Sequence, residues 1–214
     1  MKKLILALFS LLGFSHFCYA QVKVRTMIGA NVSNAAWGEK DNFDNQLRYN
    51  SQEKIGVTGG IGFSIDLSKR FFLEPAISYS SLGFHSNAEY GWENYKQTFA
   101  LNYLQVPFLL GYSIPSSQTT TISLFAGPYF GVILNGEIKD PKQGNYNIRF
   151  GEDEDDELKP FDMGGRFGIS LDTKSGIFVR AQYAISLDNL IPQSQRYFFR
   201  NKAFSMIFGY SLSI

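Results

Sequence analysis

The sequence is almost without cysteine and histidine, and this scarcity excludes several kinds of chemistry. Its 214 residues include one cysteine, Cys18, and two histidines. Cys18 lies in an N-terminal segment that we expect to be removed, so the mature chain would form no disulfide and use no thiol chemistry. The large Phe17 before it differs from the small residue that precedes a lipidated cysteine. We therefore expect no lipid anchor, no metal site and no cofactor.

The sequence also lacks an excess of charge of either sign. Lys and Arg number 20, and Asp and Glu number 19. Removing an N-terminal segment that carries Lys2 and Lys3 leaves 18 against 19, a net charge of −1. No basic patch stands out, so the sequence predicts no nucleic-acid partner.

Long apolar runs are missing too, apart from residues 4–14. This run is shorter than the roughly 20 residues of a membrane-spanning helix. It follows two lysines and precedes small residues, an arrangement typical of a secretory signal peptide. We predict that residues 1–20 are a signal peptide cleaved between Ala20 and Gln21, and that residues 21–214 form one domain. The alternative is a buried N-terminal helix.

Aromatic residues and glycine are abundant, with 20 Phe, 12 Tyr and 20 Gly. Over residues 201–214 large apolar side chains alternate with mostly small or polar ones. A period of two with unlike faces is typical of a β-strand between two different environments. The alternation recurs in seven earlier segments, so the sequence predicts an all-β fold. The eight predicted strands are residues 22–33, 55–67, 71–84, 99–113, 121–135, 161–172, 177–188 and 201–214.

The connections between these segments alternate strictly between long and short. The long connections are residues 35–53, 86–97, 136–160 and 189–200; the short ones are residues 68–70, 114–119 and 173–175. This alternation is typical of outer-membrane barrels, which have short periplasmic turns and long extracellular loops. We predict an eight-stranded antiparallel up-and-down transmembrane β-barrel, monomeric, exported through the general secretory route to a Gram-negative outer membrane.

The alternation alone does not say which face points outward. A soluble barrel of the lipocalin type, with an apolar interior, is the alternative. Here the polar face is mostly Gly, Ser and Ala, which suits the cramped lumen of eight strands better than a solvated surface. Its sparse charges have both signs, as an internally paired network requires. They are Lys23, Arg25, Asp66, Glu74, Asp162, Arg166, Arg180 and Asp188.

Aromatic residues and prolines add two further expectations. Aromatic side chains near the strand ends predict two interfacial belts. Those near the long connections are Trp37, Tyr79, Phe84, Phe161, Tyr197, Phe198 and Phe199, and those near the short ones are Phe71, Phe72 and Tyr112. Pro107 and Pro128 lie inside predicted strands and lack a ladder donor, so we expect bulges or rim positions there.

Four segments together resemble the PorT-like family of outer-membrane β-barrel proteins. They are L-N-Y-L-Q-V-P (101–107), F-A-G-P-Y-F-G (125–131), D-M-G-G-R-F-G (162–168) and Q-Y-A-I-S-L-D-N-L (182–190). Gln105 stands where that family often has Glu, Gln182 where it often has Arg, and Ser186 where it often has Gly. These departures weaken the expected pairing in the lumen but not the expected fold. From the alternation within their strands we expect Gln105 and Gln182 to join the polar network of the lumen. The resemblance implies an outer-membrane location, and for some relatives a link to a protein-secretion system.

The end of the last predicted strand resembles the signal read by the barrel assembly machinery. The residues that carry this resemblance are Phe208, Gly209, Tyr210, Leu212 and Ile214. Signals of this kind prefer a terminal aromatic residue, and Ile214 departs from that preference. The expected partners are accordingly outer-membrane lipid and, during insertion, the assembly machinery.

The sequence favours a non-enzymatic barrel with a plugged lumen that acts through residues 35–53 and 136–160. The alternatives are an accessory component of a secretion or envelope-assembly complex, with protein partners in the envelope, and a lipid-modifying hydrolase. For the last, His85 and Ser86 are the available pair, but neighbours on a strand point to opposite faces. The acidic run 152–157 lacks the pattern of a calcium loop, so we interpret it as a solvated loop; the alternative is that divalent cations bridge it loosely.

Overall fold

The computed structural model describes residues 21–40, 46–48, 50–90, 93–153, 156–192 and 196–214. The predicted signal peptide with Ala20 lies outside these ranges, and Gln21 is the first described residue. No helix in the described part of the chain is long and apolar enough to cross a membrane.

Ten β-strands are found in the described residues, and eight of them are long. The long strands are β1 (Val22–Lys40), β3 (Ser51–Asp66), β4 (Phe71–Tyr90), β5 (Glu93–Pro115), β6 (Thr120–Lys139), β8 (Phe161–Thr173), β9 (Ile177–Ser186) and β10 (Tyr197–Ser213). The short strands are β2 (Gln46–Arg48), which pairs with β1, and β7 (Tyr146–Asn147), which pairs with β6.

The eight long strands form one closed antiparallel ring, in which each pairs with the next long strand. The last strand closes the ring against the first, with a continuous register from Lys23↔Ser213 to Glu39↔Tyr197. Closure gives every long strand a partner on both sides, which is what backbone groups in hydrocarbon require. The fold class predicted from the sequence is therefore confirmed.

The two ends of the barrel differ. Tight turns connect β3 to β4, β5 to β6 and β8 to β9. These turns lie at one end of the barrel, together with Gln21 and Ile214. We call this the turn end and the opposite end the loop end. At Gly176 the turn before β9 has φ of 91°, a conformation that glycine adopts without strain.

Side chains alternate between an apolar outer wall and a polar lumen. Ile28, Ile55 and Phe208 on the wall are 72%, 77% and 59% exposed, whereas Glu74 in the lumen is 0% exposed. A soluble barrel has the opposite arrangement. The outer wall is therefore the surface that a lipid bilayer would cover.

Several strands continue well beyond a bilayer's thickness. β4 has 20 residues and β5 has 23, about twice the 9–11 that a transmembrane strand needs. The two pair as far as Tyr90↔Glu93, so the prediction of a long loop over residues 86–97 is wrong. A polar composition is compatible with a strand here, because the part of a strand that extends beyond the membrane does not need an apolar face toward lipid.

The prolines within the wall do not shift the strand register. Pro75 pairs with Phe108 in the β4–β5 ladder, and the same register resumes at Ser78. Pro107 likewise keeps its place opposite Tyr129. Pro128 pairs with Gly165 in an unbroken β6–β8 register. The expectation of bulges or rim positions at Pro107 and Pro128 is therefore wrong. The shifts instead occur between Glu53 and Thr58 and between Asn102 and Tyr103.

The aromatic residues near the loop end are divided between the two faces. Tyr79, Phe161 and Tyr197 are exposed as an interfacial belt requires. Phe84 and Phe199 instead lie in a buried apolar core, with Trp37 packed against it. The belt prediction is wrong for these three side chains, because at this height the inner face is apolar as well. It is also wrong for Phe198 and, at the turn end, for Phe72, which are both buried.

The outer wall generates a test at Phe208, which lies near the middle of the apolar band. Substitution Phe208→Arg would place a cation in hydrocarbon, at a cost of about 2–4 kcal/mol at the bilayer midplane. We expect the variant to lose the heat-modifiable gel band of a folded barrel in outer-membrane fractions. Phe208→Leu is the control, and equal amounts of folded barrel for both variants would contradict the lipid-facing assignment.

Candidate functional site

A buried group of charges, centred on Glu74, fills the lumen near mid-height. Glu74 accepts hydrogen bonds from Arg180 Nη1 at 2.7 Å and Nη2 at 2.8 Å. Arg25 Nη1 lies 3.2 Å from the Glu74 carboxylate, and Arg25 Nη2 is 2.5 Å from Asp172 Oδ1. Two-pronged contacts of this kind fix the geometry of both partners. The charges thus compensate one another where burial would make an unpaired charge costly.

Two phenylalanine rings hold the arginines of this group. The guanidinium carbon of Arg25 lies 3.8 Å from the centre of the Phe178 ring, and that of Arg180 lies 4.4 Å from the Phe125 ring. Cations over aromatic faces are attracted to the electron-rich ring. Gly209 leaves the space for one of these rings, since an added Cβ would be 2.2 Å from Phe178 Cζ.

A second polar group lies on the loop-end side of the first. Arg166 Nη2 donates to Gln105 Oε1 at 2.8 Å, and its guanidinium lies 5.7 Å from the Tyr129 ring. The Tyr129 hydroxyl donates to Asp162 Oδ2 at 3.1 Å, and Ser186 donates to the other oxygen of Asp162. Arg166 is therefore held by a neutral amide and an aromatic ring.

Little space remains between these side chains. Two cavities of about 10 Å³ each lie beside the charged groups, and each is large enough for about one water molecule. Gln182 is buried and lines both of them. At mid-height the barrel is therefore filled by its own side chains.

A wider chamber opens at the turn end. It has a volume of about 500 Å³ and is lined by hydroxyl groups together with Lys23, Asp66, Asp172 and Lys174. Lys23 Nζ and Asp66 Oδ2 form a pair of 2.9 Å, in which each side chain is about one-third exposed. This pair lies at the mouth of the chamber, so solvent screens it.

The loop end is closed by an apolar core to which the connections contribute. Ile148, Leu158 and Leu190 pack with the inner face of the barrel, including Leu101 and Phe84. Backbone hydrogen bonds hold these segments in place. They run from Lys159 N to Leu190 O at 2.7 Å and from Leu190 N to Phe199 O at 3.0 Å.

Asp140 holds the start of the longest connection. Burial alone would raise the pKa of Asp140, but hydrogen bonds from the backbone N–H groups of Gln143 and Lys142 and from the side chains of Gln97 and Tyr95 hold it below its ordinary value. The hydrogen bonds from Gln143 N and Lys142 N measure 2.9 and 2.8 Å. Because the pKa of Asp140 is lower in the folded than in the unfolded protein, its ionised carboxylate stabilises the fold at pH values above the unfolded-state pKa. This contribution is lost as the pH falls through the folded-state pKa.

Six of the eight predicted lumen residues belong to the two polar groups. Arg25, Glu74 and Arg180 form the first group, while Gln105, Arg166 and Asp162 belong to the second. Gln182 lies between the two groups. Lys23 takes part in neither, since it pairs with Asp66 at the mouth. The expectation that Asp188 joins the lumen charges is wrong, because it follows the end of β9 and is exposed.

Sequence reasoning missed several partners in the lumen. Asp172 lies six residues after Arg166 on the same strand, so the alternation predicts that it points into the lumen. The alternation does not predict its contact with Arg25. Tyr103 and Asn201 were missed as a pair, in which Asn201 Nδ2 donates to the Tyr103 hydroxyl at 2.5 Å. Polar aromatic residues at inward positions were the available signal.

The predicted assembly-signal residues occupy both faces of β10. Phe208, Tyr210, Leu212 and Ile214 are exposed on the outer wall, and Gly209 lies on the inner face beneath Phe178. Their reading by the assembly machinery stays a prediction.

Of the acidic run, Glu154 and Asp155 lie outside the described residues. Glu157 accepts a hydrogen bond from the backbone N–H of Arg149 at 2.9 Å, and Asp156 accepts one from that of Asp153 at 3.1 Å. The described part of the chain contains no group of three or more His, Cys, Asp and Glu side chains placed to hold a metal ion.

The free energies contributed by the buried ion pairs of Glu74 and by the partly exposed Lys23–Asp66 pair can be compared by substitution. Glu74→Gln leaves Arg180 and Arg25 without their shared charge, and we expect a loss of about 3–5 kcal/mol in the free energy of unfolding. Lys23→Ala removes a screened pair and should cost about 1 kcal/mol or less. Urea unfolding of the refolded barrels in detergent micelles measures both. Equal losses would contradict the central position of Glu74.

Comparisons with known proteins agree with this architecture. Residues 19–192 match the family model described as outer membrane protein beta-barrel domain. Among curated proteins, none matches the sequence. The outer membrane protein OprG from Pseudomonas aeruginosa is similar in structure, with a TM-score of 0.54 and 10% identity, over 91% of this chain and 97% of OprG.

Other similar structures include two with smaller TM-scores. Neisserial surface protein A has a TM-score of 0.48 and 10% identity, over 87% of this chain and 96% of its own. Ail of Yersinia pestis has a TM-score of 0.42 and 10% identity, over 89% and 99%. The likeness to OprG shows the fold, and the family match covers most of the chain. This protein therefore belongs to the outer membrane protein beta-barrel domain family and is a protein of the outer membrane.

Proposed function

We propose that this protein is a non-enzymatic outer-membrane barrel with a plugged lumen, which acts as a structural or interaction module through its extracellular end. The observation that carries the proposal is that side chains fill the lumen from mid-height to the loop end. The Glu74 and Arg166 groups occupy mid-height, and the apolar core around Phe84 lies above them. A barrel filled in this way offers no wide aqueous path for solutes.

At the extracellular end, the connection between β6 and β8 is held in a defined conformation, as a preorganised interaction surface requires. The connection between β6 and β8 buries Ile148 and Leu158 in the apolar core and is tied at Asp140. Tyr146 on the same connection remains 46% exposed. A preorganised surface loses less conformational entropy when it binds a partner.

A lipid-modifying hydrolase is less compatible with the geometry. His85 Nδ1 lies 2.8 Å from Thr98 Oγ1, whereas Ser86 is buried on the opposite face. A serine nucleophile needs its base within hydrogen-bond reach and a third group that orients the base. In the described part of the chain, the hydrogen bond of His85 goes to Thr98 and no carboxylate orients the ring.

The plugged lumen can be tested by conductance. We expect purified protein in planar lipid bilayers to produce no stepwise channel currents, because side chains block the lumen. A folded porin inserted under the same conditions provides the positive control. Reproducible conductance steps from the heat-modifiable, folded species would overturn the plugged lumen.

The interaction role can be tested by site-specific cross-linking in cells. A photoreactive phenylalanine analogue at Tyr146 should give discrete cross-linked species with envelope or external macromolecules. The same analogue at Lys174, on a periplasmic turn, is the matched control. Absence of cross-links at Tyr146, with a folded barrel, would count against the extracellular role.

An accessory role in a secretion or envelope-assembly complex is the second candidate, in keeping with the PorT-like resemblance. The chamber of about 500 Å³ at the turn end favours it, because this chamber would face the periplasm. Its hydroxyl groups and mixed charges suit a polar partner segment. Cross-links at Lys174 instead of Tyr146 would favour this candidate.

A further inference from the structure

Four basic side chains meet on the outer wall of the barrel at its extracellular end. They are Lys54, His85, Lys96 and Lys139, from the adjacent strands β3, β4, β5 and β6. The charges are close enough for Lys139 to act electrostatically on Lys54, and for Lys96 and Lys54 to act on His85. We call these four residues the basic cluster.

Strand register shows that the basic cluster faces outward. His85 pairs with Thr98, and Thr98 pairs with Lys139, so the three side chains share one face. The flanking residues Phe84 and Ser86 are buried in the opposite direction. Lys96 lies two residues beyond Thr98 and therefore has the same orientation.

Lys54 joins the cluster because of the irregularity in β3. Between Glu53 and Thr58 the register of β3 with β4 shifts. Because of this irregularity Lys54 points outward, although strict alternation from Thr58 would point it into the lumen. Its Nζ lies 3.5 Å from Ser81 Oγ. Gly83, with φ of 141°, leaves room for it, since an added Cβ would be 3.2 Å from Lys54 Cδ.

The positive charge of the cluster is only partly compensated. The ion pair found for it in the described residues joins Lys139 Nζ to Glu137 at 3.7 Å, and both side chains are exposed. His85 is bonded to Thr98, and Lys54 to a serine. Like charges that crowd one surface raise its positive potential and attract an anion.

The position of the basic cluster along the barrel axis shows which layer of the membrane it would meet. A row of polar side chains marks the upper limit of the apolar band, where Tyr79 donates to Asn102 at 2.9 Å and Asn102 to Asn135 at 2.6 Å. Thr98 lies four residues beyond Asn102 on β5, about 13 Å along the strand. At a strand tilt of roughly 45° this is about 9 Å above the polar row, and Lys54 lies lower, beside Ser81, which pairs with Asn102. The cluster therefore extends upward from the level of the lipid headgroups and lies outside the hydrocarbon.

From this placement we propose that the basic cluster binds the phosphate groups of a phosphorylated glycolipid in the outer leaflet. The acyl chains of such a lipid would cover the apolar wall below, beside Tyr79 and Ile55. The lysines would reach the phosphates by extending along the wall, as long cationic side chains do at membrane interfaces. This site lies on the outer wall and is independent of the plugged lumen.

Lipid retention provides the test. The full-length mature barrel is placed in phosphatidylcholine nanodiscs that contain diphosphoryl lipid A, or lipid A without phosphates, and retained lipid is measured by native mass spectrometry. The triple variant Lys54→Gln, Lys96→Gln, Lys139→Gln is compared with Lys69→Gln, Arg70→Gln, Lys174→Gln, which removes three positive charges at the periplasmic turns. All six positions are solvent-accessible, so heat-modifiable migration should show folded barrels for both.

We expect wild type and the turn variant to retain diphosphoryl lipid A, and the cluster variant to retain roughly tenfold less, because each cation near an anionic lipid surface adds to the affinity. Dephosphorylated lipid A should be retained weakly by all three. Equal retention by the cluster variant and wild type would overturn the proposal. Displacement of the lipid by inorganic phosphate alone would overturn the assignment to a lipid headgroup.

Discussion

The structure depends first on the pairing of every backbone hydrogen-bonding group in a medium without water. In hydrocarbon an open sheet edge leaves a row of unsatisfied N–H and C=O groups, each costing several kcal/mol. The continuous register between β1 and β10 removes that edge. Because the first and last strands must meet, the whole barrel forms as one unit, and the lumen exists as a consequence of closure.

Closure in turn determines what the lumen contains. Eight strands enclose a space that side chains fill, so inward polar groups must satisfy one another. Glu74 and Arg180 are 106 residues apart in the chain and meet in a two-pronged contact. Phe125 and Phe178 then occupy the remaining space and hold the guanidinium groups. The paired charges, the two phenylalanine rings and Gly209 therefore depend on one another, because Gly209 leaves the space that the Phe178 ring occupies.

The barrel changes character along its axis. A chamber at the turn end gives way to paired charges and then to an apolar core at the loop end. Sequence patterns anticipated the charged layer, because Arg25, Glu74 and Arg180 stand at inward parity in strands that are otherwise small or apolar. They did not anticipate the apolar core. Phe84 has the same parity as Glu74, but its closeness to a long connection suggested an interfacial belt.

The amino-acid sequence by itself determined the fold class, the number of long strands, the inward or outward direction of most side chains and the presence of charges of both signs inside. These follow from a period of two, which is a local property of extended chain. Only the tertiary structure decided which charges pair, how far β4 and β5 extend and that Lys54 turns outward at the shift in β3. Those outcomes depend on register between strands, and register is set by the closed ring as a whole.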